Sequence, residues 1–107
     1  MVIHCNFQVS AADTRSRRVR AAVYFYLGNG SKMPALLQGI YATTDGQAAI
    51  SEITAVTYNV TTWPDFRLYM PVNGLNRAQD CFGTVQIQDA DTNRVLATAQ
   101  TPTFYRN

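Results

Sequence analysis

The chain is 107 residues long, carries a formal net charge of +2, and only 15% of it is charged. That length fits one domain, residues 1–107, with a core large enough to stand without disulfides or metals, and it argues against two domains. The charge is too small to mark a nucleic-acid-binding protein, and no stretch approaches the about 18 consecutive apolar residues that membrane insertion as a helix would need.

Charged residues usually make up about a quarter of a soluble chain. Here Thr, Gln and Asn carry much of the polarity instead. A surface so short of charge is weakly protected against self-association, which favours an assembled or partner-bound protein.

Met1 to Asn6 pass straight into alternation, without the basic start and apolar run of about 7–15 residues that define a secretory signal. A cytoplasmic location is therefore expected, with export left open. In residues 2–9, Ile3, Cys5, Phe7 and Val9 share one face and His4, Asn6 and Gln8 the other, the two-residue period of a strand. Residues 10–16 break that pattern and read as a loop.

Residues 18–27 resume it. Val19, Ala21, Val23, Phe25 and Leu27 point inward; Arg18, Arg20, Ala22, Tyr24 and Tyr26 point outward. Gly28-Asn29-Gly30-Ser31 supplies a turn, and Pro34 prolongs the irregular stretch. A short strand is predicted around Gly39-Ile40-Tyr41-Ala42. Thr44-Asp45-Gly46 is the next turn. The Ile, Val and Thr content of residues 47–58 favours a strand, although residues 48–53 also fit the start of a short helix.

In Trp63-Pro64-Asp65-Phe66-Arg67-Leu68-Tyr69-Met70-Pro71 the large side chains alternate again. Phe66, Leu68 and Met70 are expected inside, with Asp65, Arg67 and Tyr69 outside. Proline lacks the N–H of a ladder, so Pro64 and Pro71 are expected at the strand's entry and exit. Residues 72–76 read as a loop whose Leu75 plugs the core. Residues 78–88 set Cys81, Gly83, Val85 and Ile87 against Phe82, Thr84, Gln86 and Gln88. Residues 89–93 form a hairpin turn, residues 94–99 its return strand, and Pro102 introduces an edge or a frayed tail. Together these elements predict an all-β fold, an antiparallel β-sandwich of about seven strands, immunoglobulin-like or C2-like.

Three segments carry a family likeness. Arg20-Ala21-Ala22-Val23-Tyr24-Phe25-Tyr26 running into Gly28-Asn29-Gly30, then Tyr41-Ala42-Thr43-Thr44-Asp45-Gly46-Gln47, then Tyr58 through Met70-Pro71 with Leu75, follow one another as in a little-characterised bacterial β-sandwich module. The chain resembles that module over about residues 18–75, through its "YxTTDG" turn and "DFxLxMP" strand. Members stand beside caspase-like, zinc-ribbon or helical-repeat regions in multidomain proteins. The resemblance implies an accessory or interaction role, with no catalytic residues to transfer. Because the chain opens at Met1 and carries no attached catalytic domain, self-assembly or binding of a separate partner is the nearest equivalent.

Enzyme chemistry is not expected. His4 is the single histidine, and its neighbour Cys5 points to the opposite face of the strand. A Cys–His pair would need long-range contact between His4 and Cys81. Cys5 and Cys81 read either as two buried thiols, favoured in a reducing compartment, or as a disulfide. Asn29-Gly30-Ser31 and Asn59-Val60-Thr61 match the glycosylation pattern, which has no use without export. Asp89, Asp91 and Asn93 place oxygens at alternate positions, like the opening of a calcium loop, but the glycine and the bidentate glutamate that would complete it are missing. No cofactor is expected.

Arg15, Arg17, Arg18 and Arg20 bring four of the nine basic residues close together. They read as a solvated entry to a strand or as an anion site for a polyanion. Aromatic interleaving adds a further use. If the two strands are neighbours, Arg18, Arg20, Tyr24, Tyr26, Arg67 and Tyr69 form one Arg/Tyr surface, a composition enriched at protein–protein contacts. The expected partner is another protein or a second copy in a homo-oligomer or fibre. A glycan stacked on the tyrosines is the alternative, and burial of Tyr24 and Tyr26 under a loop with only their hydroxyls wet is the structural one.

Overall fold

A computed structural model describes residues 1–14, 17–77 and 79–106. Arg15 of the basic cluster and Ala78, the expected start of a strand, lie outside the described residues. The strands are β1 (Val2–Ser10), β2 (Arg18–Leu27), β3 (Ala49–Ala55), β4 (Val60–Tyr69), β5 (Gln79–Asp89), β6 (Val95–Gln100) and β7 (Phe104–Arg106). All pairings are antiparallel. They form a β-sandwich of two unequal layers: β1 with β4 in one sheet, and β3-β2-β5-β6 in the other, with β7 also paired to β5.

The inward rows meet between these layers, as alternation demands of a half-buried sheet. Ile3, Cys5 and Val9 from β1 and Leu68 with Met70 from the β4 end close over Val19, Ala21, Val23 and Phe25 of β2 and Cys81 and Ile87 of β5. Leu75 is fully buried and plugs the core end, as expected. Phe7 stacks on Trp63 with ring centroids 4.7 Å apart and meets Phe66 edge-on at 5.7 Å.

That aromatic group exists because of a break in β4. Cys5 pairs with Phe66 and Phe7 with Trp63, so Asn6 stands opposite two residues, Pro64 and Asp65. This is a β-bulge. It returns Trp63 to the inner face, where strict alternation from Phe66 would turn it out. The expectation that Pro64 opens the strand is thereby corrected: β4 starts at Val60 and Pro64 lies inside it. A proline is tolerated there because it occupies the bulge of a strand that, among the described residues, pairs on one side only.

One other expectation changes. Residues Gly39–Tyr41 form a single 3-10 turn, not a strand. Gly39 takes φ +70°, outside the β region, Ile40 is 67% exposed, and of the stretch Ala42 makes an isolated bridge to Ala48. Of the edge and the frayed tail expected after Pro102, the edge forms. Thr101 donates its N–H to the Gly83 carbonyl at 2.8 Å, and Phe104–Arg106 then pairs with Gln79–Cys81 as β7. Residues 49–55 settle as a strand. The turn at Thr44-Asp45-Gly46 forms with Gly46 at φ +85°, and Lys32 ties Asp45 to the start of its loop at 3.0 Å. No helix among the described residues is long and apolar enough to cross a membrane.

Candidate functional site

The outer face of the larger sheet carries Arg18, Arg20, Tyr24 and Tyr26 in one row of β2. Antiparallel register sets Arg20 beside Gln88, Tyr24 beside Thr84 and Tyr26 beside Phe82. The Arg20 guanidinium donates to Gln88 Oε1 at 3.1 Å, to Asn93 Oδ1 at 2.9 Å and to the Ala90 carbonyl at 3.4 Å. Gln88, nearly buried, passes its amide on to the Tyr24 hydroxyl at 2.9 Å and to Gln86 Oε1 at 2.8 Å. Arg18 pairs with Asp91 at 2.8 Å. Tyr26 stacks on Phe82 with centroids 5.3 Å apart. These side chains brace the hairpin between β5 and β6, since a planar, five-donor fork suits several acceptors at once.

The same contacts occupy the residues suggested as a calcium loop. Asp89 Oδ1 accepts from the Asp91 N–H at 2.9 Å, Asp91 holds Arg18, and Asn93 accepts from Arg20. One oxygen of each side chain is thus engaged by a different donor. Among the described residues no cluster of His, Cys, Asp and Glu is disposed to hold a metal ion.

Arg67 and Tyr69 lie elsewhere. They belong to β4, in the smaller sheet, whereas Arg18, Arg20, Tyr24 and Tyr26 belong to β2 in the larger one. The outward rows of two facing layers point in opposite directions, so the joint Arg/Tyr surface expected for neighbouring strands does not assemble. On its own face Arg67 donates to Asp65 at 2.8 Å, and His4, across the ladder, meets the other Asp65 oxygen at 2.7 Å. The hydrogen bonds with His4 and then Arg67 hold the Asp65 carboxyl below the usual carboxylate range. His4 is thus an outward strand residue. Cys81 is fully buried, its thiol 3.4 Å from the Gln79 carbonyl. Cys5 and Cys81 are both buried and are not joined in a disulfide, and burial pushes the Cys5 thiol up.

The feature that residue patterns did not reveal is an open side of the sandwich. A cleft of about 310 Å³ separates β1 from β6, walled by Ile3, Cys5 and Phe7 on one side and Val85, Ala97 and Ala99 on the other. Ala97 and Ala99 pair with Ile87 and Val85, so they belong to the inward face of their sheet, yet both are exposed. The smaller sheet stops short of β6. A second hollow of about 370 Å³ shares Ile3, His4, Thr101 and Pro102 with the first and carries the trough on towards β7. Among the described residues no Asp, Glu, Lys or Arg lines either hollow.

The strand beside this trough is also the least protected edge. Exposed strand edges are usually blunted by charge, proline or a bulge. β3 places exposed Glu52 opposite the inward Ala21, and β4 carries the Pro64 bulge. β6 is bulged at Leu96 and followed by Pro102. β1 runs nine residues without a proline, a glycine or an Asp, Glu, Lys or Arg, and among the described residues it pairs with β4 alone. Alternate residues along it turn their N–H and C=O groups away from β4, towards the trough.

Comparison of the chain with protein-family models, curated proteins and solved structures finds no match.

Proposed function

We propose that this protein is a non-enzymatic interaction module that works by protein–protein contact, with a separate partner or with further copies of itself. One observation carries the reading: an unguarded nine-residue edge, β1, lies beside an uncovered apolar strip of the opposite sheet. Such an edge is a template for another chain, and the strip supplies apolar area for it to bury. The likeness to a bacterial accessory module favours the same role. On the outer face of the larger sheet, the guanidinium groups of Arg18 and Arg20 are already engaged with the β5–β6 hairpin. That favours protein contact over a polyanion at this face.

The test is light scattering of the purified protein over a wide concentration range, beside pull-downs from its native source. Association or a saturable partner is expected, and Asn6→Lys, which sets a charge on the β1 edge, should weaken it while leaving the circular dichroism spectrum unchanged. A protein that stays monomeric throughout and retains no partner would overturn the proposal.

A further inference from the structure

We infer that the trough between β1 and β6 receives one extended, uncharged peptide segment of a partner protein, which pairs with β1 as a third strand of the smaller sheet and lays alternate apolar side chains on Val85, Ala97 and Ala99. The inference rests on the contact reading above and names its ligand. Three features select this occupant.

The first is hydrogen bonding. The free edge of β1 presents backbone donors and acceptors at strand spacing, and only an extended backbone satisfies such a row in series. The second is width. Strands in a sheet lie about 4.8 Å apart, and beyond β5, whose Val85 and Ile87 also line the cleft, β6 is the strand of the larger sheet left uncovered, so the vacant place in the smaller sheet is that of a single strand. The third is chemistry. Among the described residues no Asp, Glu, Lys or Arg lines either hollow, and the His4 ring and the Met1 amino group there are already engaged by Asp65 and the Met70 carbonyl, so a buried charge would find little compensation, whereas apolar side chains gain from covering the exposed Ala97 and Ala99. A two-residue period in the occupant follows, because one face of it meets the trough and the other meets solvent.

The β1 edge of a second folded copy does not fit this place. With its apolar face turned inward, its own larger sheet would enter the space that β6 occupies. With that face turned outward, His4, Asn6 and Gln8 would lie on Ala97 and Ala99. The occupant is therefore a segment free of its own sheet at that point.

Cys5 provides a reporter, since it lines the trough and is 7% exposed, whereas Cys81 is fully buried. The probe is a synthetic peptide alternating valine with threonine, with lysines outside the alternating part for solubility. Modification of Cys5 by a thiol reagent, located by mass spectrometry, is followed with increasing peptide. Saturating peptide is expected to slow it about tenfold. A peptide of the same composition with its valines grouped together, and one N-methylated at alternate positions, should not. Ala97→Arg, at an exposed position, should abolish protection while leaving the circular dichroism spectrum unchanged. Equal protection by the grouped or methylated peptide, or protection that survives in A97R, would overturn the inference, as would no protection at all. If partner capture or self-association is unaltered by A97R while the peptide fails, strand insertion falls and the contact reading stands. A monomer that binds neither partner nor peptide removes both.

Discussion

Arg20 commits its guanidinium to three acceptors, two of them in the turn after β5. Truncating it leaves the nearly buried Gln88 oxygen without that donor and loosens the hairpin. Arg20→Ala is expected to lower unfolding free energy by about 1–3 kcal/mol, and Arg20→Lys to recover only part of this, because an ammonium cannot reproduce the fork. Urea denaturation of the three proteins checks it. Asp65 gives a pH signature. Its folded carboxyl is held below the ordinary aspartate value of about 3.9. The stabilisation is therefore complete above that value and is lost as pH falls through the lower, folded one. The difference in urea midpoint between the parent and Asp65→Asn should be constant near neutral pH and vanish in strong acid. Its place on the solvent-facing side keeps it small and sensitive to salt. Period-two alternation made the outward row of β2 legible. The partners of that row were not, because Arg20 and Gln88 are 68 residues apart and His4 and Asp65 61. Alternation fixes which way a side chain points and is silent about which strand lies alongside.

At the scale of the element, β4 shows where local rules meet an exception. Its inward Phe66, Leu68 and Met70 follow from alternation. Pro64 misled because proline is excluded from a paired strand but admitted to a bulge on an edge, and edge status depends on the whole sheet. Deleting Pro64 removes the extra residue opposite Asn6 and leaves Trp63 two positions from Phe66, so plain alternation then keeps it on the inner face without a bulge. The aromatic group is retained, and the loss of stability is expected to be about 1 kcal/mol or less. Trp63 is the single tryptophan, so the native fluorescence should stay unshifted, and a red shift would contradict the assigned role of the bulge. β7 was hidden for a related reason. Phe104–Arg106 is too short to show a period and forms because β5, at 11 residues, outruns β6 and leaves Gln79–Cys81 to pair. The strand-like composition at Gly39–Tyr41 went into a 3-10 turn because Gly39 takes a positive φ, which breaks the extended backbone before Ala42 makes its isolated bridge to Ala48.

Across the whole molecule, the sandwich was legible as a class and its division was not. Seven alternating segments imply two layers, but a split of two strands against five sets where the core ends. It is this inequality that leaves Ala97 and Ala99 without cover and separates Arg67 and Tyr69 from the β2 row. The inequality also has a consequence in time. The larger sheet has an interior, since β2 is paired on both sides and β5 likewise, whereas among the described residues β1 and β4 are each paired on one side only. The smaller sheet can therefore detach as a unit while the larger keeps its ladder. Amide protons of β1 and β4 should exchange with solvent deuterium through this partial opening, well before those at the centre of β2 and β5, which wait for global unfolding. Native-state exchange followed by NMR measures it. A common rate across both layers would mean that the two sheets open together.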